Sequence, residues 1–314
     1  MRKIFIFGVA TLCAFNAFAD DVSGLTAAIQ NAKNSCSGIS DSMSDLKRRA
    51  GINTAVTGVG TLSAGVALGA GIVKSNVDKT IETWEVALDD MIKKQQEQQV
   101  EFIRINLNDV EKSLDEKVKS TDALKSDIAM ATDASKKLGN IRTGTLAGTA
   151  VLDTAGTIIA ANNKVDDDLQ TKIDNCMKYI KNLKSEEIRA RTENTATEVE
   201  LATANKIITN CRDWEFVDLS PINKRATGAA VSGGAGAALA VIGAITSASA
   251  NSNSVRSDNS DAGKQKEKNL NTASNVLAGG ATAASGVATV FNATQISAIK
   301  KAAEMADKCE GALN

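Results

Sequence analysis

RAGINTAVTGVGTLSAG, residues 49–65, carries no charge after Arg49 and places small residues at every fourth position: Thr57, Thr61, Gly65 and, just beyond, Gly69. Residues four apart share one face of a helix, so this run forms a ridge where a second backbone can approach closely. An interior glycine costs a helix about 1 kcal/mol against alanine. Glycine at this density is therefore expected only where close packing offsets the cost. The rival reading is a flexible or β-prone Thr/Val/Gly segment. Helix is preferred because the sequence on either side is strongly helical.

Three further stretches resemble the first: NIRTGTLAGTAVLDTAG at 140–156, KRATGAAVSGGAGAALA at 224–240 and NLNTASNVLAGGATAASG at 269–286. Low-charge segments around all four, 51–73, 143–163, 226–254 and 269–299, hold most of the glycine, which suggests an internal duplication. The second ridge reads Gly144, Gly148, then Gly156 and Ala160 after Leu152. The third reads Gly228, Ser232, Gly236, Ala240, Ala244, and the fourth Ser274, Ala278, Thr282, Gly286.

Between the first two ridges, residues 77–138 contain neither Pro nor Gly and alternate charges. Val77, Ile81, Trp84, Leu88 and Met91 step by four and three, and Leu107, Val110, Leu114, Val118, Thr121, Leu124 and Ile128 form a second stripe. This is amphipathic coiled-coil spacing with a polar interruption at 95–99. Residues 166–210 are also helical in composition, and Ser220-Pro221 reads as an N-cap followed by proline at the first helical position.

The N-terminus has the form of an export signal. Arg2 and Lys3 precede an apolar run at 4–15, and Ala17-Phe18-Ala19 fits cleavage before Asp20. Cys13 leaves with it, so four cysteines remain: Cys36, Cys176, Cys211 and Cys309. An even count in an exported chain reads as two disulfides, and none of the four has zinc-type CxxC spacing. The midpoint of Cys36 and Cys176 is residue 106, beside the turn-favouring Asn106-Leu107-Asn108-Asp109. The midpoint of Cys211 and Cys309 falls within residues 257–263, the most loop-like run of the mature chain. Pairing 36–176 with 211–309 is therefore preferred. A rival, 176–211 with 36–309, would turn near Glu193-Asn194-Thr195.

The expected fold is all-α: two long antiparallel helical hairpins in a four-helix, coiled-coil-like bundle, zipped by Gly/Ala-rich small-xxx-small ridges. The expected organisation is a leader at 1–19, a first hairpin at 20–176 turning near 106–109, a helical connector at 177–210 and a second hairpin at 211–314 turning near 257–263. The ridge glycines singled out are Gly65, Gly69, Gly144, Gly148, Gly228, Gly236 and Gly286.

Composition closes off several kinds of chemistry. The chain has 314 residues and no histidine, so no His-dependent triad or His-liganded metal can form. With 36 Lys+Arg against 37 Asp+Glu there is no basic footprint for nucleic acid. Gly233-Gly234-Ala235-Gly236 lacks the P-loop lysine and reads as helix packing. Asp166-Asp167-Asp168 lacks the further oxygens of a calcium loop and reads as a solvated helix face. Trp214 is expected over the disulfide end of the bundle. No catalytic residue, metal, cofactor or small-molecule substrate is indicated.

Asp153 is the one charge between Arg142 and Lys164. The simpler reading puts it on a solvent-exposed face; the functional one makes it a buried carboxylate lining a polar path or pairing with a partner's cation. The low-charge stretches pose the same ambiguity, because the first and third are long enough to span a bilayer yet diluted by Thr, Ser, Gly and Asn. The first expectation is thus an exported, non-enzymatic helical scaffold or interaction protein, periplasmic or extracellular, with a protein partner or self-association. The alternative is a membrane-active protein whose hairpins at 51–73 and 226–254 insert in a bilayer, in the manner of a pore or translocator.

Overall fold

The computed structural model describes residues 24–102, 107–258 and 260–314, with the side chains of 95–119 and of Phe216 left aside. The leader at 1–19 and its cleavage site lie outside the described residues, as do residue 106 of the first expected turn and Asn259 of the second. All regular structure among the described residues is helical: α1 (Gly24–Cys36), α2 (Ile39–Phe102), α3 (Leu107–Asn162), α4 (Asp167–Glu193), α5 (Glu198–Cys211), α6 (Ser220–Ala250), α7 (Asn253–Arg256) and α8 (Asp261–Leu313), with a 3-10 turn at Arg212–Phe216. Leu107, Asn108 and Asp109 open α3. Near the second expected turn, α7 ends at Arg256 and α8 begins at Asp261. There Ser260 donates from Oγ (2.5 Å) and N (3.1 Å) to Asp258 Oδ1, which holds that carboxyl below the usual carboxylate range.

The chain forms two compact units. The first comprises the segment ending at Arg49, Lys164–Asn223 and Gln295–Asn314; the second comprises Ala50–Asn163 and Lys224–Thr294. The partition falls inside α2 at Arg49/Ala50, inside α6 at Asn223/Lys224 and inside α8 at Thr294/Gln295, and coincides with a break between helices at Asn163/Lys164.

In the first unit most of the large apolar side chains point inward, Ile188 and Val199 being exposed. Leu25 and Ile29 of α1, Met43 and Leu46 of α2, Ile173, Ile180 and Leu183 of α4, Ile207 of α5 and Ile299 of α8 are all buried. The helix ends are conventionally satisfied. Asp166 accepts from Leu169 N at 2.7 Å as the N-cap of α4, so the acidic triplet caps a helix and places Asp167 and Asp168 in its first turn, where the helix dipole favours them. Thr197 and Glu200 form a capping box on α5. Gly38, at φ 76°, makes the left-handed step from α1 to α2. Its N–H is received by Glu310 Oε1, whose Oε2 accepts from Ser40 N at 3.2 Å. Ser220 is the first residue of α6 and donates its N–H to Asp218 Oδ1 at 2.9 Å, one position inside the expected cap.

Two disulfides close this unit, Cys36–Cys176 and Cys211–Cys309, with Cα–Cα separations of 4.7 and 4.3 Å. The turn that the rival pairing required is present, with Asn194 left-handed at the end of α4, yet Cys176 does not bond Cys211. The Cys36, Cys176 and Cys309 sulfurs lie within 4.8 Å of one another, so the two bridges are neighbours. Trp214, in the 3-10 turn directly after Cys211, is buried.

In the second unit the contacts order the helices. Along α2 and α3, Asp78 meets Ser135, Ser63 meets Thr145 and Gly60 meets Asp153; one number rises as the other falls, so the helices run in opposite directions. The same holds for α3 with α6 (Arg142 to Ser247, Leu146 to Gly243, Thr157 to Gly233) and for α6 with α8 (Gly243 to Ser274, Gly228 to Phe291). It holds too for α2 with α8 (Asn53 to Asn292, Gly71 to Asn275). The inward positions alternate steps of four and three: Asn53, Thr57, Gly60, Ala64, Ala67, Gly71 and Lys74 on α2, and Asn271, Ser274, Ala278, Ala281, Ser285, Ala288 and Asn292 on α8. That seven-residue period is the coiled-coil period, occupied by small and polar residues where coiled coils carry Leu and Ile.

Candidate functional site: the polar interior of the second unit

Three polar layers and one apolar layer occupy the inward positions. At the first, Asp153 of α3 is fully buried. Its Oδ2 accepts from Ser285 Oγ of α8, and its Oδ1 has no partner. Glycines make room for it on both sides. A Cβ on Gly60 of α2 would lie 2.5 Å from Oδ1, and one on Gly236 of α6 would lie 2.6 Å from Oδ2. All four helices therefore converge on this carboxylate.

In the second layer Asn53 Nδ2 donates to Asn292 Oδ1 at 2.8 Å, and Asn292 Nδ2 donates to Thr57 Oγ1 at 3.2 Å. Asn53 Oδ1 is buried without a partner. The third layer is built on Arg142, also fully buried. Its Nε donates to Ser247 Oγ at 2.9 Å, Nη1 to Asn275 Oδ1 at 3.0 Å and Nη2 to Asn271 Oδ1 at 2.8 Å. The rigid fork of a guanidinium suits three divergent neutral acceptors in a way an ammonium does not. Beyond it, the buried Lys74 donates to Asp78 Oδ2 at 2.6 Å and to Glu267 Oε1 at 3.4 Å. Between the Asp153 and Arg142 layers lies the apolar cluster of Ala64, Ala67, Leu146, Ala150, Ala240, Ala278 and Ala281.

The outward positions carry the bulk. Leu62 of α2 is 72% exposed, Val151 of α3 70%, Val231 of α6 68% and Val276 of α8 71%; Val59, Val66, Ile158, Ile242, Ile245 and Val290 are exposed with them. Four helical stretches, Gly24–Lys94, Ser120–Glu193, Ser220–Ala250 and Asp261–Leu313, are each long and apolar enough to cross a membrane.

The expected ridge glycines divide. Gly236 meets Asp153 and Ser285, and Gly228 lies where a Cβ would sit 3.0 Å from the Phe291 ring. Gly148 and Gly286 have ordinary contacts, 3.7 Å to Ser63 and 3.9 Å to Thr61, while Gly65, Gly69 and Gly144 face open space. Tight approaches occur also at glycines outside the expected set: Gly60, Gly71 against Asn275, Gly139 against Asn251, and Gly233 against Thr157. The reason is geometric. At 3.6 residues per turn, a strict every-fourth stripe drifts by about 40° per step, so it leaves the contact face that the four-and-three alternation follows. Arg142 and Lys74, which read in sequence as the ends of uncharged runs, turn inward with their polar heads satisfied.

In the first unit a shallow polar groove is lined by Asn34, Ser35, Ser37, Lys172, Asn175 and Tyr179. Its side chains offer hydrogen bonds and no paired nucleophile and base. No known family matches the chain, and neither a curated protein nor a solved structure matches it.

Proposed function

We propose that the protein is an exported, non-enzymatic helical protein of the cell envelope whose second unit inserts in a bilayer as two antiparallel helical hairpins, α2 with α3 and α6 with α8. The observation that carries this reading is the inversion of the second unit: β-branched and leucine side chains outward; alanines, amides, hydroxyls, the Asp153 carboxylate, the Arg142 guanidinium and the Lys74 ammonium inward. In water such an apolar exterior is disfavoured. In lipid it is the expected arrangement, because tails solvate Val and Ile while small interior residues let backbones pack closely and polar side chains satisfy one another.

The lengths agree. Residues 50–73 and 143–163 measure about 36 and 31 Å at 1.5 Å per residue, against a hydrocarbon core of about 30 Å. Export is supported by the leader-like N-terminus and by the two disulfides, which persist in oxidising compartments. Beyond Lys74 and before Leu138 the sequence turns rich in charge, and among the described residues the exposed ion pairs Lys94–Asp90 and Lys137–Asp133 lie there. This aqueous extension favours a protein partner or self-association as a second role, in keeping with a scaffold.

Flotation of the mature protein with liposomes tests the reading. The protein is expected to rise with the vesicles and to stay with them through alkaline carbonate. Recovery in a periplasmic wash or in the medium, with no flotation, would overturn it and leave a soluble scaffold.

A further inference from the structure

Asp153 is an ionisable side chain for which the described residues of the packed helices supply no counter-charge. No Lys, Arg, Asp or Glu lies on α2 between Arg49 and Lys74, on α6 after Arg225, or on α8 between Lys268 and Lys300; on α3 its nearest charged neighbour is Arg142, and Lys164 follows beyond the helix end. Arg142 is engaged by Ser247, Asn271 and Asn275 and lies across the Leu146 cluster. What faces Asp153 from the packed helices is uncharged: Gly60, Gly236 and Ser285. One carboxylate and one hydroxyl fall short of the six or more oxygens that Mg²⁺ or Ca²⁺ gathers. The small cation that matches a lone, unpartnered carboxylate oxygen in a glycine cradle is the proton.

We propose that Asp153 is a proton-exchange site and that the second unit carries protons across the bilayer, with the alanine cluster around Leu146 as its closure. This rests on the bilayer reading above and names what that interior transports. Ionisable groups inside membrane bundles mark such paths, and apolar constrictions close them by excluding water. A hydronium arriving by way of Asn53, Thr57 and Asn292 gives its proton to Asp153 Oδ1, forming an O–H bond and leaving water. When the Leu146 layer opens, water on the Arg142 side takes the proton and restores the carboxylate. Nothing is oxidised or reduced, and the side chain is regenerated. The closed layer between Asp153 and Arg142 makes the structure that of the shut state.

The experiment uses the full mature chain in phosphatidylcholine/phosphatidylglycerol liposomes loaded with a pH-sensitive dye, with a potassium gradient and valinomycin as driving force. Acidification faster than in protein-free vesicles is expected. Dicyclohexylcarbodiimide should block it and label the Asp153 peptide, and Asp153→Asn should abolish it. Leu146→Ser should speed it about tenfold, the effect of ~1.4 kcal/mol off the barrier. Circular dichroism checks that each variant folds; where Asp153→Asn does not, the carbodiimide result on the native chain decides. Retained flux in folded Asp153→Asn, flux indifferent to the carbodiimide, or release of a trapped anionic dye from the same vesicles overturns the proposal. Flotation separates the two readings. Protein that fails to float overturns the bilayer reading, whereas protein that floats and moves no protons overturns this inference alone.

Discussion

Alanine at Gly236 and alanine at Gly65 should move stability in opposite directions, although both replace a glycine inside a long helix. At Gly65 nothing lies within 4 Å of the new methyl. Only the gain in helix propensity remains, about 0.4–1 kcal/mol, which acts through the unfolded chain. At Gly236 the methyl would sit 2.6 Å from Asp153 Oδ2, 2.9 Å from Ser285 Oγ and 3.3 Å from the Ser285 backbone N. The last atom cannot rotate away, so α6 and α8 must separate, and the Ser285–Asp153 hydrogen bond is displaced. Overpacking costs about 1–3 kcal/mol and a lost hydrogen bond to a charged group about 1.5–3 kcal/mol. Less the propensity gain, the net loss is roughly 1.5–5.5 kcal/mol. For a unit of this size 1 kcal/mol corresponds to about 2–4 °C. Gly65→Ala should therefore raise the melting temperature by about 1–4 °C and Gly236→Ala lower it by roughly 3–22 °C. Trp84 belongs to the second unit and Trp214 to the first, so fluorescence of Trp84 in a Trp214→Phe background, in detergent, follows the relevant unit alone. Equal stability of Gly236→Ala and the parent, or shifts of the same sign at both sites, would refute the reasoning.

Two further outcomes are expected. Removing one bridge by Cys211→Ser with Cys309→Ser frees a loop with a sequence separation of 98 and should destabilise the first unit by about 2–5 kcal/mol. Trp214 fluorescence in a denaturant titration reads this, and an unmoved midpoint would count against a stabilising role for the bridge. Arg142→Lys keeps the charge but cannot serve Ser247, Asn271 and Asn275 together, so at least one buried oxygen loses its donor at a cost of about 1–3 kcal/mol. The Trp84 melt checks it, and a variant as stable as the parent would show that the fork geometry does not matter.

Several of these features were readable without coordinates. The four low-charge stretches announced themselves by glycine density and by the charged, proline-free sequence beside them, and apart from residues 163, 251 and 252 they lie in helices. The cysteine pairing followed from midpoints that fall on turn-favouring residues. What could not be read was which side of each ridge faces inward. In Leu-rich helices the apolar stripe settles that question, since burying one face is worth far more than burying the other. Here most Val, Ile and Leu lie on the outward face and Gly, Ala, Ser and Asn on the inward one, so a rule that buries the most apolar stripe chooses the wrong side.

The division into two units was equally hidden, because three of its four cuts fall within the uninterrupted helices α2, α6 and α8, where the nearby Gly51 and Pro221 do not end a helix. Sequence alone determined the helical class, the absence of histidine chemistry and the isolation of Asp153 among uncharged residues, since these depend on residue identity and local spacing. Tertiary structure decided that Asp153 and Arg142 turn inward while Leu62, Val151, Val231 and Val276 turn outward. Burial is a property of what packs opposite a side chain, and in helices made of small residues only the partner helices supply that information.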